Sequence, residues 1–310
     1  MNRDRFDPNR SVLAHDAEKL QAYVQMLECA IGNRVRVVGI LEIGSFAKGE
    51  AVPTSDIDTR VYVTTPDLHL FNRFGTEAAP PQYEAFAQMH EPGPIKAYDW
   101  RTFNDPVALE ISDRLSLPVE FGFVDREYAA FELSRLDQFP SIEHALLFQS
   151  HILYDPEGFL AQQRGALRGR VFQPLVEYYE EGVSSRLTKR LSRYLEPHAD
   201  DVYKLEKSGQ IIWVQQAVRC LRNAVAAKTY GTTGQFVYRK PGVLRFYREY
   251  LPDDFEFVDQ LYTWKTDPRV RAEMVREFMD DPQRLYALFK SCLPHLETTV
   301  KKVNALESLR

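Results

Sequence analysis

The stretch VRVVGILEIGSFAKGEAVPTSDIDTRVYV (residues 35–63) decides the architecture. Val35 to Ile43 is rich in β-branched residues and is closed by Gly44-Ser45, which predicts a strand; after a Pro53 turn, Asp56 to Val63 predicts a second. Asp56 and Asp58 stand two apart in extended chain, so both carboxylates project from one face while Ile57 enters the core. Two carboxylates held that close repel each other. A hard divalent cation relieves the repulsion and keeps positions open for phosphate oxygens. Gly44 lets the backbone approach a phosphate, Ser45 offers a hydroxyl, and the residues after it could open a helix whose N–H groups face the anion. Lys48 either is solvated or reaches phosphate.

Further along, Val119 to Val124 predicts a third strand, in which Glu120 is the only acidic residue. It shares a face with Gly122, opposite Phe121 and Phe123. A carboxylate among core residues needs a cation, so Glu120 is expected as the third carboxylate, metal ligand or general base, with Asp113 and Asp125 as fallbacks.

Before the decisive stretch, apolar spacing predicts an amphipathic helix from Ser11 to Gly32. Residues 64–104 read as a long loop with paired prolines and a possible short helix at Tyr83 to Met89, followed by a helix from Pro106 to about Leu115. Beyond the turn signal Asp155-Pro156-Glu157-Gly158, helical patterns take over at 175–195, 200–229, 241–250, 268–290 and 294–307. The expected fold class is α+β: a small mixed sheet with flanking helices in residues 1–160, then an all-helical domain in 161–310.

A chain of 310 residues with 44% apolar and 27% charged side chains suits two ordinary domains and excludes a disordered chain or a disulfide miniprotein. No apolar run nears the roughly 18 residues that cross a bilayer, so a cytoplasmic protein is expected. Cys29, Cys220 and Cys292 lie far apart and are expected as reduced, mostly buried thiols. Residues 1–150 carry 23 acidic against 14 basic side chains, and residues 151–310 carry 21 against 25. An acidic first half disfavours long nucleic acid as a partner. Tyr178-Tyr179 and Phe246-Tyr247 are expected in the core, Arg186, Lys189, Arg190 and Arg193 on a solvated helix face, and His144 and His151 outside the site.

Gly44, Ser45, Ala47 and Gly49, followed by Ser55, Asp56 and Asp58, make a G-S-x-A-x-G and S-D-x-D pattern that resembles the nucleotidyltransferase superfamily of DNA polymerase β. It is similar more narrowly to the small-molecule branch, the aminoglycoside and lincosamide nucleotidyltransferases associated with antibiotic resistance. Leu153-Tyr154-Asp155 and Gly158 look like that branch's L-Y-D-x-x-G turn at the end of the catalytic domain. The resemblance implies ATP as co-substrate, two Mg²⁺ ions, and transfer of AMP to an acceptor hydroxyl with release of pyrophosphate, while the charge asymmetry leads to the expectation of a cationic or neutral hydroxylated small acceptor in a cleft between the domains. The expected catalytic residues are Asp56 and Asp58 as metal ligands and Glu120 as metal ligand or general base, with Gly44, Ser45, Ser55 and, where it reaches phosphate, Lys48 expected at the nucleotide. Lys240, in Arg239-Lys240-Pro241 before a predicted helix, partly matches a segment whose lysine reaches the triphosphate. The alternatives are a regulatory or antitoxin-like protein on the same fold, or an enzyme acting on protein or RNA ends.

Overall fold

The computed structural model describes residues 7–31, 36–53, 55–64, 100–195 and 211–307 together with Leu309. The chain divides into two compact units: one holds the chain up to Gly49 and Ser55–Arg168, the other Glu50–Thr54 and Gly169–Arg310.

In the first unit, α1 (Ala17–Ile31), β1 (Arg36–Glu42), α2 (Gly44–Lys48) and β2 (Ile57–Thr64) precede α3 (Trp100–Leu115), β3 (Val119–Asp125), α4 (Arg126–Ser134), α5 (Ile142–Gln149), β4 (His151–Tyr154) and α6 (Phe159–Leu167). The strands form one mixed sheet in the order β3-β2-β1-β4. β1 runs antiparallel to β2 and β4, and β2 parallel to β3. Flanked on both edges, β1 is buried from Val37 to Glu42, which is why its sequence is a continuous apolar run rather than an alternation. Gly39 leaves room for Leu160, because a Cβ there would lie 2.7 Å from Leu160 Cδ1 and force that buried side chain to shift. α1 seats Tyr23, Val24 and Leu27 in the core, and the Tyr23 hydroxyl meets Thr59 Oγ1 at 2.7 Å.

Several elements differ from expectation. The Ser11–Gly32 helix is a short 3₁₀ turn followed by α1, and α3 starts at Trp100, six residues before Pro106. β4 occupies residues read from sequence as the lead-in to a turn; four half-buried residues are too few to show a strand period. The proposed Tyr83–Met89 helix lies outside the described residues.

In the second unit, α7 (Gln173–Ser185) passes into a π-helical turn (Arg186–Leu191) and a 3₁₀ turn (Ser192–Leu195). α8 (Ile212–Thr233), α9 (Lys240–Tyr250), α10 (Pro252–Thr266), α11 (Pro268–Asp280) and α12 (Pro282–Ala305) follow. α8 is buried nearly all round, from Trp213 to Tyr230, and forms the axis of the helical core. The break expected between residues 290 and 294 falls instead at Asp281-Pro282, and α12 continues through Pro294. Leu285, Phe289, Leu293, Leu296, Val300 and Val303 form one buried stripe along α12, and that packing outweighs the hydrogen bond lost at Pro294.

Tyr179, Phe246 and Tyr247 are in the core, but Tyr178 is 45% exposed. Of the cysteines only Cys220 is buried; Cys29 is exposed and Cys292 intermediate, which corrects the expectation of mostly buried thiols. Lys189, Arg190 and Arg193 are exposed, whereas Arg186 is half-buried and donates to the Gly182 carbonyl at 2.7 Å. No helix among the described residues is long and apolar enough to cross a membrane.

Candidate metal centre

β1 ends at Glu42, and the chain turns sharply at Gly44, whose φ of +67° is open to glycine without strain. α2 is a single helical turn that ends at Gly49, again left-handed at φ 70°. The chain then returns to β2, where the Ile43 amide donates to the Asp58 carbonyl at 2.8 Å and the Ile57 amide to the Pro118 carbonyl at 2.7 Å. These two bonds place the start of β2 against both the Gly44 turn and β3. In the parallel register Asp58 is opposite Glu120.

One carboxylate oxygen from each of Asp56, Asp58 and Glu120 lies within 4.8 Å of the others, a spacing that could hold a metal ion. Asp56 and Asp58 are half-buried. Glu120 is exposed on a strand that is the sheet edge among the described residues, so the expectation of a carboxylate embedded in the core is corrected. Phe121 and Phe123 are buried on the opposite face while Glu120 points outward beside Asp58. Neither fallback joins the cluster: Asp125 caps α4 by accepting from the Glu127 and Tyr128 amides, and Asp113 is exposed on α3.

Burial, then the neighbouring charges of Asp56 and Glu120, push the Asp58 carboxyl up to about 7, against the pull of Lys48 and a hydrogen bond from the Ser45 amide. Asp58 has a second constraint in Gly44, where a Cβ would lie 1.7 Å from Asp58 Oδ2. The glycine therefore makes room for the carboxylate itself, a role different from the phosphate approach read from sequence. Ser45 Oγ is buried with no hydrogen-bond partner in the structure. Three converging carboxylate oxygens and their mutual repulsion fit a hard divalent cation.

No family model and no curated protein matches the chain.

The structure brings Gly44, Ser45 and Lys48 to the carboxylate cluster, with Ser55 directly before Asp56. Lys240 belongs to the helical unit. It opens α9, donates to Thr266 Oγ1 at 2.8 Å and lies 5.8 Å from the Tyr262 ring centre, and burial pulls its ammonium pKa down.

Three polar clusters escaped the sequence reading. Arg60 shares a strand face with Asp58, yet its guanidinium is taken by buried Glu143, which also accepts from the Tyr62 hydroxyl at 2.6 Å. Fully buried Glu42 accepts from the Ser11 amide at 3.0 Å and pairs with His151 Nδ1 at 2.8 Å. Glu50 is held by Arg222 and Lys265 in the helical unit. For Glu42 and Glu143 the sequence signal was a charged residue among apolar neighbours, and Glu50 carried none.

Proposed function

We propose that the protein is a Mg²⁺-dependent nucleotidyltransferase that moves a nucleoside monophosphate, AMP from ATP, to a hydroxyl of a small acceptor and releases pyrophosphate. The observation that carries the reading is the Asp56, Asp58 and Glu120 cluster at the Gly44 turn. Asp56 and Asp58 would hold the cation, with Glu120 completing the set. A divalent cation held there would supply charge neutralisation of the triphosphate. Glu120, the exposed member, can take the proton of the acceptor hydroxyl at a carboxylate oxygen. Ser45 Oγ can donate to a phosphate oxygen, and Lys48, already close enough to act on Asp58, adds positive charge on the same side.

The resemblance of residues 44–58 to the small-molecule nucleotidyltransferases supports the reaction class and points to the acceptor panel. Pyrophosphate release from ATP should appear with Mg²⁺ and one of a set of aminoglycosides, lincosamides, protein or RNA, and disappear on chelation. Asp58→Asn with wild-type turnover would overturn the reading.

A further inference from the structure

Residues Glu50–Thr54 count with the helical unit although the chain on both sides belongs to the sheet unit. The excursion lies inside the motif, between the α2 turn and the metal carboxylates. Glu50 begins it and is 3% exposed. Its Oε1 accepts from Arg222 Nη1 at 2.7 Å and its Oε2 from Lys265 Nζ, and these partners are 1% and 7% exposed. A single buried carboxylate thus takes two buried cations from two different helices, α8 and α10. Ala51 and Val52 are buried directly after it. Such a cluster is an unfavourable way to gain stability, because the desolvation cost of each charge offsets most of the attraction. What it supplies is position: charged hydrogen bonds from two directions fix one carboxylate in space.

The two motif aspartates depend on different supports. Asp58 lies in the ladder, with its carbonyl bonded to the Ile43 amide and its side chain against Gly44. Asp56 stands one residue ahead of β2 and is led in by the segment that Glu50 begins. Resting on the metal reading above, we propose that Glu50 is a positioning residue: clasped by Arg222 and Lys265, it anchors the segment that presents Asp56 and so sets the affinity of the carboxylate cluster for a divalent cation.

Charge alone makes the opposite forecast for one of the partners. Removing the Lys265 ammonium leaves the protein more negative, which would strengthen cation binding by simple attraction. Loosening the clasp would weaken it. Lys265→Met also keeps the Glu50–Arg222 pair, so no buried charge is left without a partner and the fold is spared the penalty that Glu50→Gln risks. Asp254 provides a control. It is a buried carboxylate in the same helical unit, bonded to Thr299 at 2.9 Å and Lys302 at 2.8 Å, with no part in the segment.

The experiment is a Mn²⁺ titration of the full chain at fixed ionic strength, followed by water-proton relaxation, with thermal melts alongside. Glu50→Gln is expected to bind Mn²⁺ about tenfold more weakly, the size of a lost outer support to a metal ligand. Lys265→Met should bind about threefold more weakly by the same argument at reduced strength. Asp254→Asn should lower the melting temperature yet keep the wild-type affinity. A folded Lys265→Met that binds as tightly as wild type, or more tightly, overturns the clasp. Equal weakening in Asp254→Asn overturns it too, by showing a general stability effect. Wild type that binds no Mn²⁺ fails the metal reading itself, and is distinguished from both by needing no variant.

Discussion

Asp58 is the residue at which the electrostatics of the cluster concentrate. Its carboxyl is raised from an ordinary 3.8 to about 7 by burial and by the charges of Asp56 and Glu120. A proton and a metal compete for the same oxygens, so Mn²⁺ affinity should fall steeply as pH drops from 8 to 6, and binding near pH 7 should release a proton measurable by titration in buffers of different ionisation enthalpy. Affinity independent of pH over that interval would contradict the assignment. The same shift has a stability sign. With the folded value above the unfolded one, the group costs nothing below about pH 4, and its penalty grows until it is complete above about pH 7. Without divalent cations, Asp58→Asn should therefore melt higher than wild type at pH 8 and no higher at pH 4. Asp56→Asn and Asp58→Asn should both fold and lose Mg²⁺-dependent transfer by about three orders of magnitude or more, read from initial rates.

At the scale of elements, the Gly44 turn joins β1 to the cluster. Gly44→Ala places a methyl group where Asp58 Oδ2 now lies and forces a left-handed backbone on an L residue. The backbone alone costs about 1–2 kcal/mol, and displacement of the carboxylate should abolish Mn²⁺ binding even in protein that still melts cooperatively. Retained binding would show that Asp58 is not held against the turn. α12 offers a test unconnected with the site. Pro294 is exposed inside that helix, so Pro294→Ala should raise the melting temperature, by up to about 3 kcal/mol in stability, as followed by circular dichroism. These two elements also show what a sequence discloses. β1, β2 and β3 were legible because β-branched runs and the D-x-D spacing are local signals. The α12 break was misplaced because Pro282 and Pro294 are the same residue in different roles, helix opener and tolerated interior proline, and only the buried stripe from Leu285 to Val303 decides between them.

At the scale of the molecule, the three clustered carboxylates were readable and their supports were not. Asp56 and Asp58 announce themselves by spacing, and Glu120 by standing alone in an apolar strand, though its exposure was not foreseen. Glu50 lies in the same quoted stretch, but its partners are 172 and 215 residues away, and no local pattern encodes that meeting. The same holds for Arg60 and Glu143, separated by 83 residues, whose pairing engages the cation nearest in sequence to Asp58. The acidic excess of residues 1–150 works against a long polyanion as a ligand of that part of the chain.

The most direct test of the central claim is to follow two samples of ATP, one labelled at the α-phosphate and one at the γ-phosphate, with Mg²⁺, the full chain and the acceptor panel. Nucleotidyl transfer predicts α-label in an acceptor product and γ-label only in pyrophosphate, with both signals lost in Asp58→Asn. γ-Label in the acceptor, release of orthophosphate alone, or undiminished transfer by Asp58→Asn would contradict the account.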